Sequence, residues 1–366
     1  MSSRPLRLVA WAVTAVVLVA LPFGFPAFRV EQFIGWMAVA VAAAGLNLLT
    51  GYNGQISVGH GALYGIGAYT AALLVTDASW PLVPTVGAAA VVCFAVGVVV
   101  GLPALRIKGL YLALVTLAVA ALFPLVLEQF SGFTGGGSGL ALTSPQLYRG
   151  RLRDRTVQWV SPTDRLAPDQ WKYFIFLAVT VVVFALAANL VKSRTGRSLV
   201  AIRDNDVAAE VSGIDVSRTK VLTFGISAAI AGIGGAMYAL NNGQVNPTSF
   251  TLTLSIYFLV AVVVGGASTV IGPAIGAVVY GVFIDVLAPE LPERLKAATP
   301  LILGILLILL MLTAPGGVVG IVNSFSAGIA ARRHGKGGTG QNEADSDTEP
   351  AQPSATSSAQ PGGTQP

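Results

Sequence analysis

Ten apolar runs set the terms on which this chain can fold. They lie at 8–28, 33–50, 62–76, 82–104, 109–130, 173–191, 221–240, 254–268, 271–288 and 300–314. A helix needs roughly 20 mostly apolar residues to cross the hydrocarbon of a bilayer. The run 62–76 is short and is expected to begin earlier, near Ser57. The stretch 254–288 is too long for one pass, and Gly265-Gly266-Ala-Ser-Thr with Gly272-Pro273 divides it. Only 11% of residues are charged, against about 25% in soluble domains, so an ordinary soluble protein is excluded. The pattern predicts an all-α polytopic membrane protein with about ten transmembrane helices.

Positive charge orients such a chain. With the N-terminus (Arg4, Arg7) placed inside and ten passes, Arg106, Lys108, the six Lys/Arg of 192–220, and Arg332, Arg333 and Lys336 also fall inside. The short loops agree, while the basic cluster Arg149 to Arg155 in the long outer loop 131–172 runs against them. Residues 1–330 read as the transmembrane domain. The Gly/Ser/Pro-rich tail 331–366 cannot bury a core and is expected to be a disordered cytoplasmic tail. A first span retained rather than cleaved as a signal is expected, because no small-x-small cleavage site follows Leu8–Leu21. The one cysteine, Cys93, lies mid-span and reads as packing.

Two polar interruptions are informative. The first, 192–220, is longer than any turn needs. Asp204 or Asp206 can cap a helix, Ala208 and Ala209 favour one, and Gly213 can supply a left-handed stop. Val200, Val207, Val211 and Ile214 recur at helical spacing. A short amphipathic helix over 198–213 with charged flanks suits the groove of a soluble partner, as in a membrane subunit driven from outside itself. The second runs from Gly45 to Thr70. It is rich in glycine and in uncharged polar groups and has no formal charge. Such backbone is tolerated at membrane depth only where protein covers it or water lines it. It is expected to form a re-entrant or broken segment beside a solute path, with Asn47, Asn53, Gln55, Ser57 and His60 as candidate path residues. Tight packing and a structural hydrogen bond from His60 are the plainer alternative.

Other chemistries find no support in the residues. No Gly-x4-Gly-Lys-Ser/Thr phosphate loop occurs, and Gly335-Lys336 sits in the tail. Two histidines and one thiol make neither a nucleophile triad nor a metal set, so no catalytic or metal residues are expected. Asp285 and Glu128 fall near span ends, where they can face water, and the spans otherwise lack the charges of ion-coupled secondary transport.

These stretches together resemble the permease subunits of branched-chain amino acid ABC importers, of the LivM-like type. The resemblance runs over about 33–320. It is carried by Gly45-Leu46-Asn47-Leu48, Gly51-Tyr52, Gly54-Gln55, Gly59-His60-Gly61 and Gly65-x-Gly67-Ala68-Tyr69. It continues in Leu105-Arg106, Gly109-Leu110-Tyr111, Thr134-Gly135-Gly136, Ala201-Ile202-Arg203, Ser227-Ala228, Ala231-Gly232 and Gly272-Pro273. It implies a cytoplasmic coupling helix with an EAA-x-x-x-G pattern. Ala208, Ala209 and Gly213 keep that spacing, but Val207 replaces the acid, with Asp206 before it and Glu210 after it. Arg197 and Arg203 are further candidates for contact with the ATPase. The resemblance also implies a second related (LivH-like) permease subunit, two cytoplasmic ATPase subunits that hydrolyse the ATP, and an extracytoplasmic solute-binding protein. No nucleic acid and no cofactor on this chain are implied. The expected location is the bacterial inner membrane with both termini cytoplasmic. Urea or short-chain amide permeases share these motifs and are the nearest alternative reading.

Overall fold

The computed structural model describes residues 4–78, 80–104, 110–142, 166–296, 298–313 and 316–321, all within one compact unit. The tail, the basic cluster Arg149 to Arg155 and the 105–109 motif lie outside the described residues. The helices are α1 (Arg4–Gly24), α2 (Ala27–Asn47), α3 (His60–Thr76), α4 (Leu82–Ala104) and α5 (Leu110–Gln129). They continue with α6 (Pro168–Lys192), α7 (Arg194–Asp204), α8 (Asp206–Val211) and α9 (Val216–Asn242). The last three are α10 (Leu252–Gly265), α11 (Gly272–Gly281) and α12 (Thr299–Thr313). Two-residue strands, Leu140–Ala141 and Gln244–Val245, pair antiparallel, with Leu140 opposite Val245.

Among the described residues, seven helices are long and apolar enough to cross a membrane. The expected runs 8–28, 62–76 and 300–314 correspond mainly to α1, α3 and α12, which do not reach that standard; α12 has 15 residues and α3 has 17. A 17-residue helix spans only about 26 Å, so helix length alone does not carry the count of ten. The outer helices carry large exposed apolar side chains, among them Val91, Tyr111, Leu122, Leu186 and Leu312. That surface is tolerable where lipid replaces water as the solvent, and the chain is a multi-pass membrane protein.

α2 and α9 are mostly buried and form the centre, and α6 is mostly exposed. α9 packs on α2, α3 and α4. Its small residues bring backbones together: a Cβ at Gly235 would meet the Tyr64 carbonyl, and one at Gly67 would meet Gly232. An aromatic cluster fills the far end of the centre. Tyr64 stacks on Phe258 at 5.1 Å, and Phe250 meets Tyr64, Tyr69, Tyr238 and Phe123. α1 is held to α6 by the Tyr173 hydroxyl, which donates to Leu18 O at 2.9 Å.

The helix expected over 198–213 is two helices. Asn205 is extended (φ −163°, ψ 110°) and breaks it. Neither Asp204 nor Asp206 is the cap. Asn205 Oδ1 accepts from the backbone of Val207 and Ala208, while Ser193 caps α7 by accepting from Gly196 N. The aspartates pair elsewhere, Asp204 with Arg203 and Asp206 with Lys220. Gly213 does supply the left-handed stop (φ +83°). Ile214 N–H donates to Ala209 O and Gly213 N–H to Glu210 O, the two bonds of a Schellman end.

Candidate functional site

The glycine-rich segment begins where α2 widens into a π-helical turn, Leu48–Tyr52. Residues 53–59 are non-helical, and α3 then starts at His60. Residue 54 has φ +71° and lies against the Arg203 side chain, which only glycine permits at low cost. The freed backbone donors find side chains on neighbouring helices. Val58 N–H donates to Thr116 Oγ1 at 3.0 Å, and Gly61 N–H to Ser255 Oγ at 2.8 Å. These bonds keep the buried non-helical backbone between the two helices satisfied.

All five candidate path residues are buried, none more than 7% exposed. Three of them hold the structure together. Ser227 Oγ donates to Gly45 O at 2.6 Å, so His60 Nε2 must carry the ring proton and donate to Ser227 Oγ at 2.8 Å. His60 Nδ1 then accepts from Ser57 Oγ at 3.1 Å. Asn47 bridges the break between α10 and α11: its Nδ2 donates to Thr269 O, and its Oδ1 accepts from Ser268 N. Asn53 and Gln55 differ, because neither side-chain amide has a hydrogen-bond partner among the described residues. Each such buried amide costs about 1–3 kcal/mol.

Arg203 joins this segment to the helix pair α7–α8. Its guanidinium donates to Gly51 O at 3.1 Å and to Ser268 Oγ at 3.0 Å. Ser268 Oγ donates in turn to Gly51 O at 2.6 Å. Ser268 has φ +62°, the only non-glycine residue with positive φ among the described residues, so the α10–α11 break is strained where Arg203 grips it. The sequence offered no sign of Ser268 beyond its place in a glycine-rich break.

The remaining coupling candidates divide by face. Ala209 packs inward with Leu199 and Ile202, while Arg197, Ala208, Glu210 and Gly213 are exposed. Val207 and Val211 are 66% and 86% exposed, so half of the expected apolar stripe faces out. Lys220 ties Asp206 to the base of α9 at 2.5 Å. The pair therefore presents apolar and charged groups outward on an inward anchor.

At the opposite ends of α2, α9, α10 and α11 lies a cavity of about 700 Å³. Its rim includes Phe28, Glu31, Asn242 and Gln244, and its floor Val39 and Tyr64. Asp285, expected near a span end, lies five residues from the end of the candidate span Gly272–Glu290 and is half-buried in the cavity wall, accepting from Trp36 Nε1 at 2.6 Å.

The family pattern described as branched-chain amino acid transport system / permease component matches residues 30–314. The chain is similar to the high-affinity branched-chain amino acid transport system permease protein LivM of Salmonella typhimurium. They are 31% identical over 320 residues, 83% of this chain and 73% of the relative. LivM of Escherichia coli K12 is 31% identical over 321 residues, with the same coverage. The permease protein LivH of Escherichia coli K12 is 28% identical over 294 residues, 77% of this chain and 91% of the relative. No solved structure matches.

Proposed function

The chain belongs to the branched-chain amino acid transport system permease family, and from that premise we propose that it is one half of a two-permease pore in an ABC importer. A second related permease completes the pore. Two cytoplasmic ATPases seat on α7–α8, and a solute-binding protein delivers leucine, isoleucine or valine at the other face. The chain crosses the bacterial inner membrane about ten times with both termini inside, and ATP is hydrolysed by the partners.

The observation that carries this reading is the Arg203 junction. A partner-facing helix pair is hydrogen-bonded directly to the interrupted span (Gly51) and to the strained α10–α11 break (Ser268). A push on α7–α8 therefore moves both interruptions at once. Interruptions are where a span can change shape with the least loss of helix hydrogen bonding. His60, Ser57 and Asn47 seal the coupling side, and Asn53 and Gln55, whose amides find no partner among the described residues, are able to meet a polar solute or water when that seal opens.

The test is reconstitution. Vesicles carrying both permeases and both ATPases, supplied with binding protein outside and ATP inside, should accumulate labelled leucine. This chain alone should not. Accumulation of leucine against a gradient by the chain alone would overturn the reading.

A further inference from the structure

The cavity at the ends of α2, α9, α10 and α11 has a chemistry that follows from its wall. Among the described lining residues are two carboxylates, Glu31 and Asp285, and neither lysine nor arginine. The whole chain is net positive, +5, so the local sign is reversed. Asp285 sits in a π-helical turn, Val282–Leu287, a distortion common at functional sites. The Trp36 indole takes its Oδ2, leaving Oδ1 without a donor among the described residues. The Trp36 indole packs directly on Gly281, where a Cβ would run into the ring. A second acceptor stands nearby. Asn241 spends its amide N–H groups on Glu31 O and Asn242, and its Oδ1 is buried with no donor among the described residues. Glu31 in turn is paired with Lys172, which is 7% exposed. Among the described residues Asp285 is thus the lining carboxylate for which no ion pair is found. Apolar wall is supplied by Val39, Tyr64, Tyr238, Leu254 and Ile284. The volume falls within the roughly 300–1,000 Å³ of small-molecule sites.

We propose that this cavity is a solute-reading site within the permease itself, in which Asp285, positioned by Trp36, binds the α-ammonium group of an amino acid while the branched side chain lies against the Tyr64–Tyr238–Ile284 wall. The proposal rests on the permease function above and adds a selectivity step after the binding protein. It separates amino acids from urea and amides, which carry no cation for an unpaired carboxylate.

The experiment uses the complete reconstituted complex. Wild-type accumulation of leucine tests the function; the variants test the site. Asp285→Asn should raise the leucine concentration for half-maximal uptake at least tenfold, with maximal uptake changed less than twofold at equal membrane level. Asp285→Glu should recover most of the loss. In the absence of binding protein, millimolar leucine and isoamylamine should raise the melting temperature of the wild-type complex, and 4-methylpentanoate, which lacks the ammonium, should not. Should Asp285→Asn fail to assemble, Trp36→Phe keeps the carboxylate and removes its donor, and a threefold rise is expected. If wild type imports leucine while the assembled Asp285→Asn (or, failing it, Trp36→Phe) shows unchanged half-saturation, the assignment is wrong. Equal stabilisation by 4-methylpentanoate overturns it as well.

Discussion

Arg203 and Ser268 are 65 residues apart in sequence and 3.0 Å apart in space, and their contact makes a sharp prediction. Arg203→Ala removes the two charge-assisted bonds to Gly51 and Ser268, each about 1.5–3 kcal/mol, together with the exposed pair to Asp204, but leaves Ser268 bonded to Gly51. The junction is loosened rather than destroyed. The assembled importer should go on hydrolysing ATP at half the wild-type rate or more, while leucine uptake falls at least tenfold. Arg203→Lys, which keeps charge without the planar fork, should lie between. Uptake by Arg203→Ala equal to wild type, at matched membrane level, would remove Arg203 from the coupling path. Gly213 gives a second case. A Cβ there meets nothing within 4 Å, so the objection to a side chain is the backbone at φ +83° alone, about 1–2 kcal/mol for most residues. Gly213→Asn should therefore transport nearly as wild type and Gly213→Val poorly, both inserting normally in the membrane. Equal uptake by the two would show that the helix exit does not matter. Gly213 was legible in the sequence because a helix stop has a local signature; Ser268 was not, since its φ is imposed by contacts from Asn47 and Arg203.

Elements were legible to the extent that their causes are local. The apolar run 82–104 is the helix α4 residue for residue, and 109–130 matches α5 within one residue at each end. The α7–α8 break was missed because Asn205 caps in place of either aspartate, and which of three neighbouring acceptors turns inward is settled only when Asp206 meets Lys220 on α9. The extent of the interrupted span was likewise hidden: glycines predicted a break, but Thr116 and Ser255, which satisfy it, come from α5 and α10. The α3–α9 contact yields its own prediction. A Cβ on Gly235 would strike the backbone carbonyl of Tyr64, which no rotamer change relieves. Gly235→Val should cost at least the 1–3 kcal/mol of an overpacked core and lower both the melting temperature in detergent and the membrane level. Gly304→Val, on α12 with open space around it, should change neither. Parity between the two variants would mean that α3 and α9 are not in close backbone contact.

At the scale of the molecule the two polar regions face opposite ways along α2. Cavity-lining residues run from Phe28 to Val39, about 16 Å of helix, and the seal at Gly45–Asn47 begins about 9 Å further on. A cavity lies at the end away from α7–α8, and buried polar residues lie at the end beside them. None of this was readable from the chain alone, because Trp36 and Asp285, 249 residues apart, define the cavity only once α2 and α11 are neighbours. A permease that alternates access must exchange these conditions. In a background with Cys93 replaced, single cysteines at Asn53, Gln55 and Ser57, each at least nine-tenths buried here, should react slowly with small water-soluble thiol reagents in the complex without nucleotide. Cysteines at Asn242 and Gln244, on the exposed rim, should react quickly. During ATP turnover the inner set should gain at least fivefold in rate, and Arg203→Ala should cut that gain at least by half, because the push on α7–α8 then reaches Gly51 without the guanidinium bonds. Inner positions that stay unreactive throughout turnover would show that 53–59 is packing alone and that the solute passes elsewhere.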